Sequence, residues 1–325
     1  MIDTKKIRIL HVTNNYPTTS NPVFGIFVKE QIDSLANAGI VNDVFFINGR
    51  EFGKKAYFKS LFELRRILRN GEFGIIHCHH SFSAIVLLLT FSHSKFRTIV
   101  SYQNDPDREG GLWLYSLLRF FFDGVILKNN KSEFMFPKTH YLPNGVNMNY
   151  FKPLDRLDCK TSIKLQVDTR YILFMDSYKR RRQKRIDRFN EVIRILKEDL
   201  QQKNIEPLIL TNTPRDQIPL YMSASSLHII SSDFEGSPNS VKECLASNVK
   251  VVSTPVGNIE DLIGDVPSCY ISKTFEPKDL ALLALKALDS EDYDGRSYIY
   301  SKELDMDNVT RKLISRYREI LGGTV

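Results

Sequence analysis

The sequence predicts an α/β protein made of two successive Rossmann-like halves, each a parallel sheet covered by helices. Three observations predict it. Short apolar runs bounded by polar loops alternate with helical patterns along the chain, and that alternation builds parallel sheets. The pattern restarts at residues 171–175 (YILFM), after a turn-rich crossing. The length of 325 residues suits two domains of about 150 residues better than one.

Composition narrows the function classes. Apolar residues make up 42% and charged residues 26%, the balance of a folded globular protein rather than a disordered one. No apolar run reaches the roughly 18 residues of a membrane span. The start, MIDTKKIRIL, passes from a charged tip straight into a strand pattern without signal-peptide form, so a cytoplasmic location is expected. Cys78, Cys159, Cys244 and Cys269 form no C-x-x-C pair, which argues against zinc and against a disulfide framework. A formal charge of +7 favours anionic partners: nucleotide phosphates, an anionic membrane surface or nucleic acid.

In the first half, residues 7–12 (IRILHV) form the first core strand. The loop TNNYPTTSNPVFG leads to Gly25, where a helix with Val28, Ile32, Leu35 and Ala36 on one face begins, and Ala38-Gly39 stops it. No G-x-G-x-x-G is present, so there is no dinucleotide fingerprint. Residues 44–47 give a second strand. The next helix, 54–69, places Tyr57, Phe58, Leu61, Leu64, Ile67 and Leu68 on one face and Lys54, Lys55, Lys59, Arg65, Arg66 and Arg69 largely on the other. It is either an outer helix of the layer or a basic amphipathic helix lying on an anionic membrane. The third strand, 74–79 (GIIHCH), ends in His77, His79 and His80, and alternation leaves His79 nearest the sheet's carboxyl edge. A metal reading of these histidines lacks an acid or cysteine at ligand spacing. A satisfied structural role is the competing reading for each. Residues 84–91 are a helix, 98–102 a strand, and the loop QNDPDREGG follows. The aromatic stretch 112–122 is a core helix or part of an apolar groove, and strands 125–127 and 139–142 complete the half.

The second half opens on strand 171–175 and a loop in which six of the seven residues 179–185 are basic. That run is a solvated face, a nucleic-acid patch, or a clamp for a diphosphate at a helix start. An amphipathic helix (Phe189, Val192, Ile193, Leu196, Leu200), a strand at 207–210, a helical turn at 219–223 and a buried strand at 227–230 follow, with helices at 277–288 and 306–321. After strand 227–230 a loop carries Asp233, Glu235 and Gly236, and Pro238 and Asn239 start a helix that holds Glu243 two turns in. The first-turn amides of Asn239, Ser240 and Val241 suit a phosphate, while carboxylates accept from hydroxyls. A nucleotide sugar combines those groups.

The spacing Glu235-(seven residues)-Glu243, flanked by EGSPN and by Ala246-Ser247-Asn248 and VVSTPVG, resembles the signature of retaining glycosyltransferases of family four, notably those of bacterial cell-surface polysaccharides. TNNYP with NPVFGIFVKEQ resembles the acceptor-side loop of the same enzymes, and HYLPNGVN with Phe151 resembles their crossing segment. The resemblance implies a GT-B fold, two Rossmann-like domains whose parallel sheets face an interdomain cleft. It implies an acceptor-binding domain over 1–152, a nucleotide-sugar domain over 153–305, and a helix at 306–325 returning to the first domain. It further implies Glu235 and His79 as catalytic residues. Lys184, with one of residues 179–182, Lys179 among them, as its partner at the diphosphate, would bind the donor together with the Asn239, Ser240 and Val241 amides, and Glu243 would take the ribose. Gly25, Asn15 and Asn104 would face the acceptor. Tyr178 stands where these enzymes usually carry an arginine, and Asn258 and Asp261 replace a usual glycine and glutamate.

The expected activity is transfer of a hexose from a nucleoside diphosphate sugar, UDP ahead of GDP, to a lipid-linked or oligosaccharide acceptor. No cofactor or metal is expected. Peripheral attachment to the inner face of the cell membrane is a further expectation, and nucleic acid is not an expected partner. The rivals are a nucleotide-sugar epimerase or phosphorylase of the same fold, and a basic nucleic-acid or membrane-binding protein, which would leave the glutamate loop unexplained.

Overall fold

The computed structural model describes residues 7–176, 181–291 and 293–322. The chain divides into two compact units: the first runs to Gly145 and resumes at Met306, and the second is Val146–Asp305.

In the first unit β1 (Arg8–Thr13), α1 (Ile26–Asn37), β2 (Val41–Phe46), α2 (Gly49–Phe52), α3 (Lys54–Asn70), β3 (Ile75–His79), α4 (Ser81–Leu89), β4 (Arg97–Ser101), α5 (Leu112–Phe121), β5 (Gly124–Leu127) and β6 (Thr139–Tyr141) follow one another. The sheet order is β2-β1-β3-β4-β5-β6 and every neighbouring pair is parallel. Side chains alternate between two cores, as a pleated strand covered on both faces requires. Leu10, Ile76, Val100 and Val125 pack with Leu64, Leu87 and Leu118 of α3, α4 and α5. Ile9, Ile75, Ile99 and Ile126 pack on the opposite face.

The second unit contains α6 (Arg156–Ser162), β7 (Arg170–Asp176), α7 (Ile186–Arg194), β8 (Ile205–Thr211), α8 (Ile218–Ala224), β9 (Ser225–Ile230), α9 (Asn239–Ala246), β10 (Lys250–Ser253), α10 (Ile259–Ile263), β11 (Tyr270–Ile271), α11 (Pro277–Asp289) and α12 (Gly295–Ser301). Its parallel sheet has the order β11-β10-β9-β7-β8. Helix α13 (Met306–Ile320) then brings Val309, Leu313, Ile314 and Tyr317 against Ile9, Ile75 and Ile99 of the first unit.

One expected face is corrected. Helix α3 buries Ala56, Ser60, Leu64 and Leu68, whereas Phe58 is 70% and Phe62 60% exposed. The small Ala56 and Ser60 sit on the inward stripe, and Phe58 and Phe62 lie nearly opposite them on the outer face, their rings edge to face with centroids 5.2 Å apart. Among the described residues, no helix is long and apolar enough to cross a membrane.

Candidate functional site

Parallel strands put all their following loops at one edge of a sheet, which is where open α/β folds gather ligand-binding groups. In the second unit three such loops are stitched together. Asp176, at the end of β7, accepts from the Arg181 backbone N–H at 2.9 Å and from Arg181 Nε at 3.0 Å. The Asp233 N–H donates to Gln183 O at 2.8 Å, and Ser231 Oγ donates to Lys184 O at 2.9 Å, so the loops after β7 and β9 travel as a pair. Arg185 and Arg188 both hold Asp233, and Arg188 also donates to Ser231 O. The loop after β10 closes on the same place: Gly257, at φ 56°, lets its backbone pass where a Cβ would lie 2.2 Å from Gly236 O. A cleft beside these loops is lined by Arg181, Arg182, Gln183 and Arg185, with Asp187, Asp233 and Phe234.

Within this frame Lys184 Nζ lies 2.6 Å from Glu235 Oε1, and Ser232 Oγ donates to the same oxygen at 2.6 Å. Both side chains are largely buried, 10% and 14% exposed. Burial raises the Glu235 pKa, but the charge and hydrogen bond of Lys184, the Ser232 hydroxyl and the charge of Arg181 outweigh it, and the carboxyl stays below the ordinary glutamate range. Glu243, on α9, meets Arg215 Nη2 at 2.8 Å, and the Arg215 guanidinium lies 4.7 Å from the Phe151 ring centroid.

The start of α9 is also held. His228 Nδ1 faces Leu173 O at 3.0 Å and must donate to it, so Nε2 accepts from Ser240 Oγ at 3.1 Å. The Val241 N–H closes on Pro238 O at 3.2 Å, while Asn239 and Ser240 occupy first-turn positions without intrahelical carbonyl partners. The buried Asn239 Oδ1 has no hydrogen-bond partner among the described residues. Lys179 lies outside the described residues.

In the first unit Gly25 and Asn15 come together: Gly25 starts α1 at φ 63°, and a Cβ there would lie 2.3 Å from the Asn15 carbonyl. Asn104 follows β4, where its N–H donates to Glu109 Oε2 at 3.0 Å. Glu109 is a buried tie between loops, since it also accepts from the Gln103 N–H at 2.7 Å and the Ser81 N–H at 2.9 Å. Asp105 and Asp107 bracket Pro106 in that loop, and each has a cationic neighbour, Lys131 and Arg108. His79, buried at the end of β3, meets His11 Nδ1 through its Nε2 at 2.9 Å.

Arg215, Glu109, Ser232 and His11 were not indicated by the sequence. Arg215 and His11 meet partners on other elements, Glu109 ties its own loop to the start of α4, and Ser232 meets Glu235 three residues on; nothing in their local sequence distinguishes them from ordinary polar or strand residues.

No described protein family matches the chain, and no curated protein does. Solved structures do. Sucrose-phosphate synthase from Thermosynechococcus elongatus matches at a TM-score of 0.76 and 14% identity, over 98% of this chain and 100% of that one. A glycosyltransferase from Rickettsia africae matches at 0.69 and 16%, over 98% and 100%. HepE of Anabaena, solved with UDP-glucose, matches at 0.66 and 13%, over 96% and 100%. At these identities the likeness establishes the fold, two Rossmann-like α/β units of GT-B type.

Proposed function

We propose that the chain is a retaining glycosyltransferase that moves a hexose from a nucleoside diphosphate sugar to an acceptor hydroxyl. One observation carries the reading: the Lys184–Glu235 pair joins a cation and a carboxylate whose preferred partners are the two halves of a glycosyl diphosphate. A bound donor would divide the pair, its phosphate taking the ammonium and its sugar hydroxyls donating to the carboxylate. Arg181, whose charge already reaches Glu235, and the first-turn amides of Asn239 and Ser240 would add positive potential at the phosphates. Glu243 would accept from the ribose hydroxyls.

In this reaction the acceptor oxygen bonds to the anomeric carbon on the leaving-group face, the bond from that carbon to the phosphate oxygen breaks, and the diphosphate takes the hydroxyl proton. Pre-placed cations stabilise the leaving diphosphate as its charge develops, so no metal ion is called for. UDP is favoured over GDP, in keeping with HepE, which was solved with UDP and with UDP-glucose. Asn15, Gly25 and Asn104 would serve the acceptor, and His79 the donor sugar.

The acceptor would be a lipid-linked or oligosaccharide precursor of a bacterial surface polysaccharide or glycolipid, reached from the inner face of the membrane. Support for membrane attachment comes from α3, α4 and α5, which are neighbours in the first unit. They expose Phe58, Phe62, Phe82, Trp113 and Phe120, with Trp113 at 70% and Phe120 at 78%. Six exposed cations of α3, Lys54, Lys55, Lys59, Arg65, Arg66 and Arg69, supply charge complementary to anionic lipid.

Calorimetric titration with UDP and with uridine tests the donor assignment. Lys184→Ala should weaken UDP by about 10- to 100-fold, the worth of a hydrogen bond to a charged group, and leave uridine nearly unchanged. Glu243→Gln should weaken both ligands alike. Equal losses for both ligands in Lys184→Ala would remove the lysine from the phosphate site.

A further inference from the structure

Three histidines share one face of the first unit's sheet. His11 on β1 lies opposite His77 on β3, and His79 follows two residues on, the same side that carries Ile9 and Ile75 into the core beneath α13. Their ring nitrogens lie within 4.8 Å of one another, a spacing compatible with a metal ion. The hydrogen bonds lead elsewhere.

Asn42 Nδ2 donates to Ile40 O at 2.8 Å, which turns the amide oxygen toward His11 Nε2 at 2.9 Å. An amide oxygen only accepts, so the His11 proton sits on Nε2. Burial lowers the His11 pKa to about 4, so the ring is neutral near pH 7 and its Nδ1 is a bare lone pair. That lone pair faces His79 Nε2 at 2.9 Å, which must therefore be the protonated nitrogen. Burial, and after it the charges of His77, His11 and Lys128, hold His79 neutral as well. Its Nδ1 is then an acceptor, and it is buried without a hydrogen-bond partner among the described residues. His77 is engaged separately, with Tyr317 Oη at 2.6 Å and Ser101 Oγ at 2.7 Å. Metal binding through His11 Nδ1 and His79 Nε2 would require His79 to move its proton to Nδ1 and give up the hydrogen bond to His11.

We infer that Asn42 and His11 form a relay of positioning residues that fixes His79 in its Nε2–H tautomer, so that Nδ1 is presented as an acceptor for a sugar hydroxyl. The relay itself stands on ligand-free geometry, and the hydroxyl assignment rests on the glycosyltransferase reading. Asn42 lies on the edge strand β2, two residues removed in the bond network from any ligand, and its effect is to choose which nitrogen of a distant ring donates. Without its oxygen, His11 can carry its proton on Nδ1, and His79 would then have to accept through Nε2 and become a donor at Nδ1. A hydroxyl that donates to Nδ1 would lose its acceptor.

Long-range proton–nitrogen correlation spectra of the full chain with 15N-labelled histidine test this. Without ligand at pH 7, His11 and His79 should both show a protonated Nε2 and a pyridine-type Nδ1. A proton on Nδ1 of His79 overturns the relay. Asn42→Asp keeps the oxygen and should keep the pattern, whereas Asn42→Leu, with folding checked by its melting curve, should shift protons to Nδ1 at both rings. An unchanged pattern in Asn42→Leu also overturns it. Zinc chloride should leave the resonances in place, and stoichiometric zinc-induced shifts at His11 and His79 would replace the relay with a metal site. UDP-glucose should move the His79 Nδ1 resonance and UDP should not. If UDP-glucose binds without moving it, the hydroxyl assignment falls while the relay stands. Absence of any UDP-glucose binding would count against the donor reading instead.

Discussion

Lys184 Nζ and Glu235 Oε1 meet at 2.6 Å in a place where the loops after β7 and β9 are tied by their own backbones. Two residues that a ligand would separate are thus held ready against each other. Removing only the lysine leaves a carboxylate in a largely buried setting without its cation, which costs more than removing both charges. Lys184→Met should lower stability by about 2 kcal/mol or more, and Lys184→Met with Glu235→Gln should recover much of that loss while remaining inactive. Thermal melts of the single and double variants check it. Additive losses would mean that the pair is not coupled.

Stability should also fall in mild acid. Burial holds His11 and His228 at a pKa of about 4 instead of 6.5. In the unfolded chain both protonate near 6.5, so between pH 6.5 and 4 the unfolded state binds protons that the folded state does not. Their contribution is therefore complete above pH 6.5 and is lost progressively as the pH falls toward 4, by up to about 3 kcal/mol for each. Glu235, whose folded pKa lies below its usual 4.5, acts in the same direction, but its loss begins only as the pH drops below that value. Melting temperatures at pH 7.5, 6.5, 5.5 and 4.5 should decline below 6.5, and His228→Gln should flatten part of the slope. A constant melting temperature across the series would contradict the neutral, buried state of these rings.

Membrane attachment makes a separate prediction. Co-sedimentation with vesicles containing anionic phospholipid should be strong at low salt and weaker at high salt, since each cation near the surface contributes about 1 kcal/mol at most. Changing Lys54, Lys55, Lys59, Arg65, Arg66 and Arg69 to glutamine should release the protein, and Phe58→Ser with Phe62→Ser should weaken it further. If the fully substituted protein sediments as well as the unmodified one, α3 is only the outer layer of its unit.

Much of the fold was legible because strands covered on both faces read as near-continuous apolar runs, as in residues 171–175 (YILFM) of β7. Strand β2 was less so: it begins at Val41, and its Asn42 and Asp43 are tolerated because an edge strand has an exposed side. In α3 the helical period was correct, but which stripe faced inward depended on the neighbouring helix, and the close-packing Ala56 and Ser60 prevailed over the larger Phe58. The glutamate loop stood out because charged and turn residues directly follow an apolar strand. Arg215, which meets Glu243, and the Asn42–His11–His79 series depend on partners brought together only by the sheet and its loops, so no local pattern announces them.

Turnover of hexose donors by the unmodified chain and by Glu235→Gln tests the central claim most directly. UDP-, GDP- and ADP-hexoses would be offered with a lipid-linked acceptor extract, and nucleoside diphosphate release and the anomeric proton of the product followed by NMR. The account predicts that at least one donor is consumed with its anomeric configuration retained, and that Glu235→Gln slows turnover by about two orders of magnitude while the variant still melts cooperatively, its melting temperature lowered only by the loss of the Lys184 pair. Release of a donor isomer or sugar phosphate without transfer, or full turnover by Glu235→Gln, would contradict it.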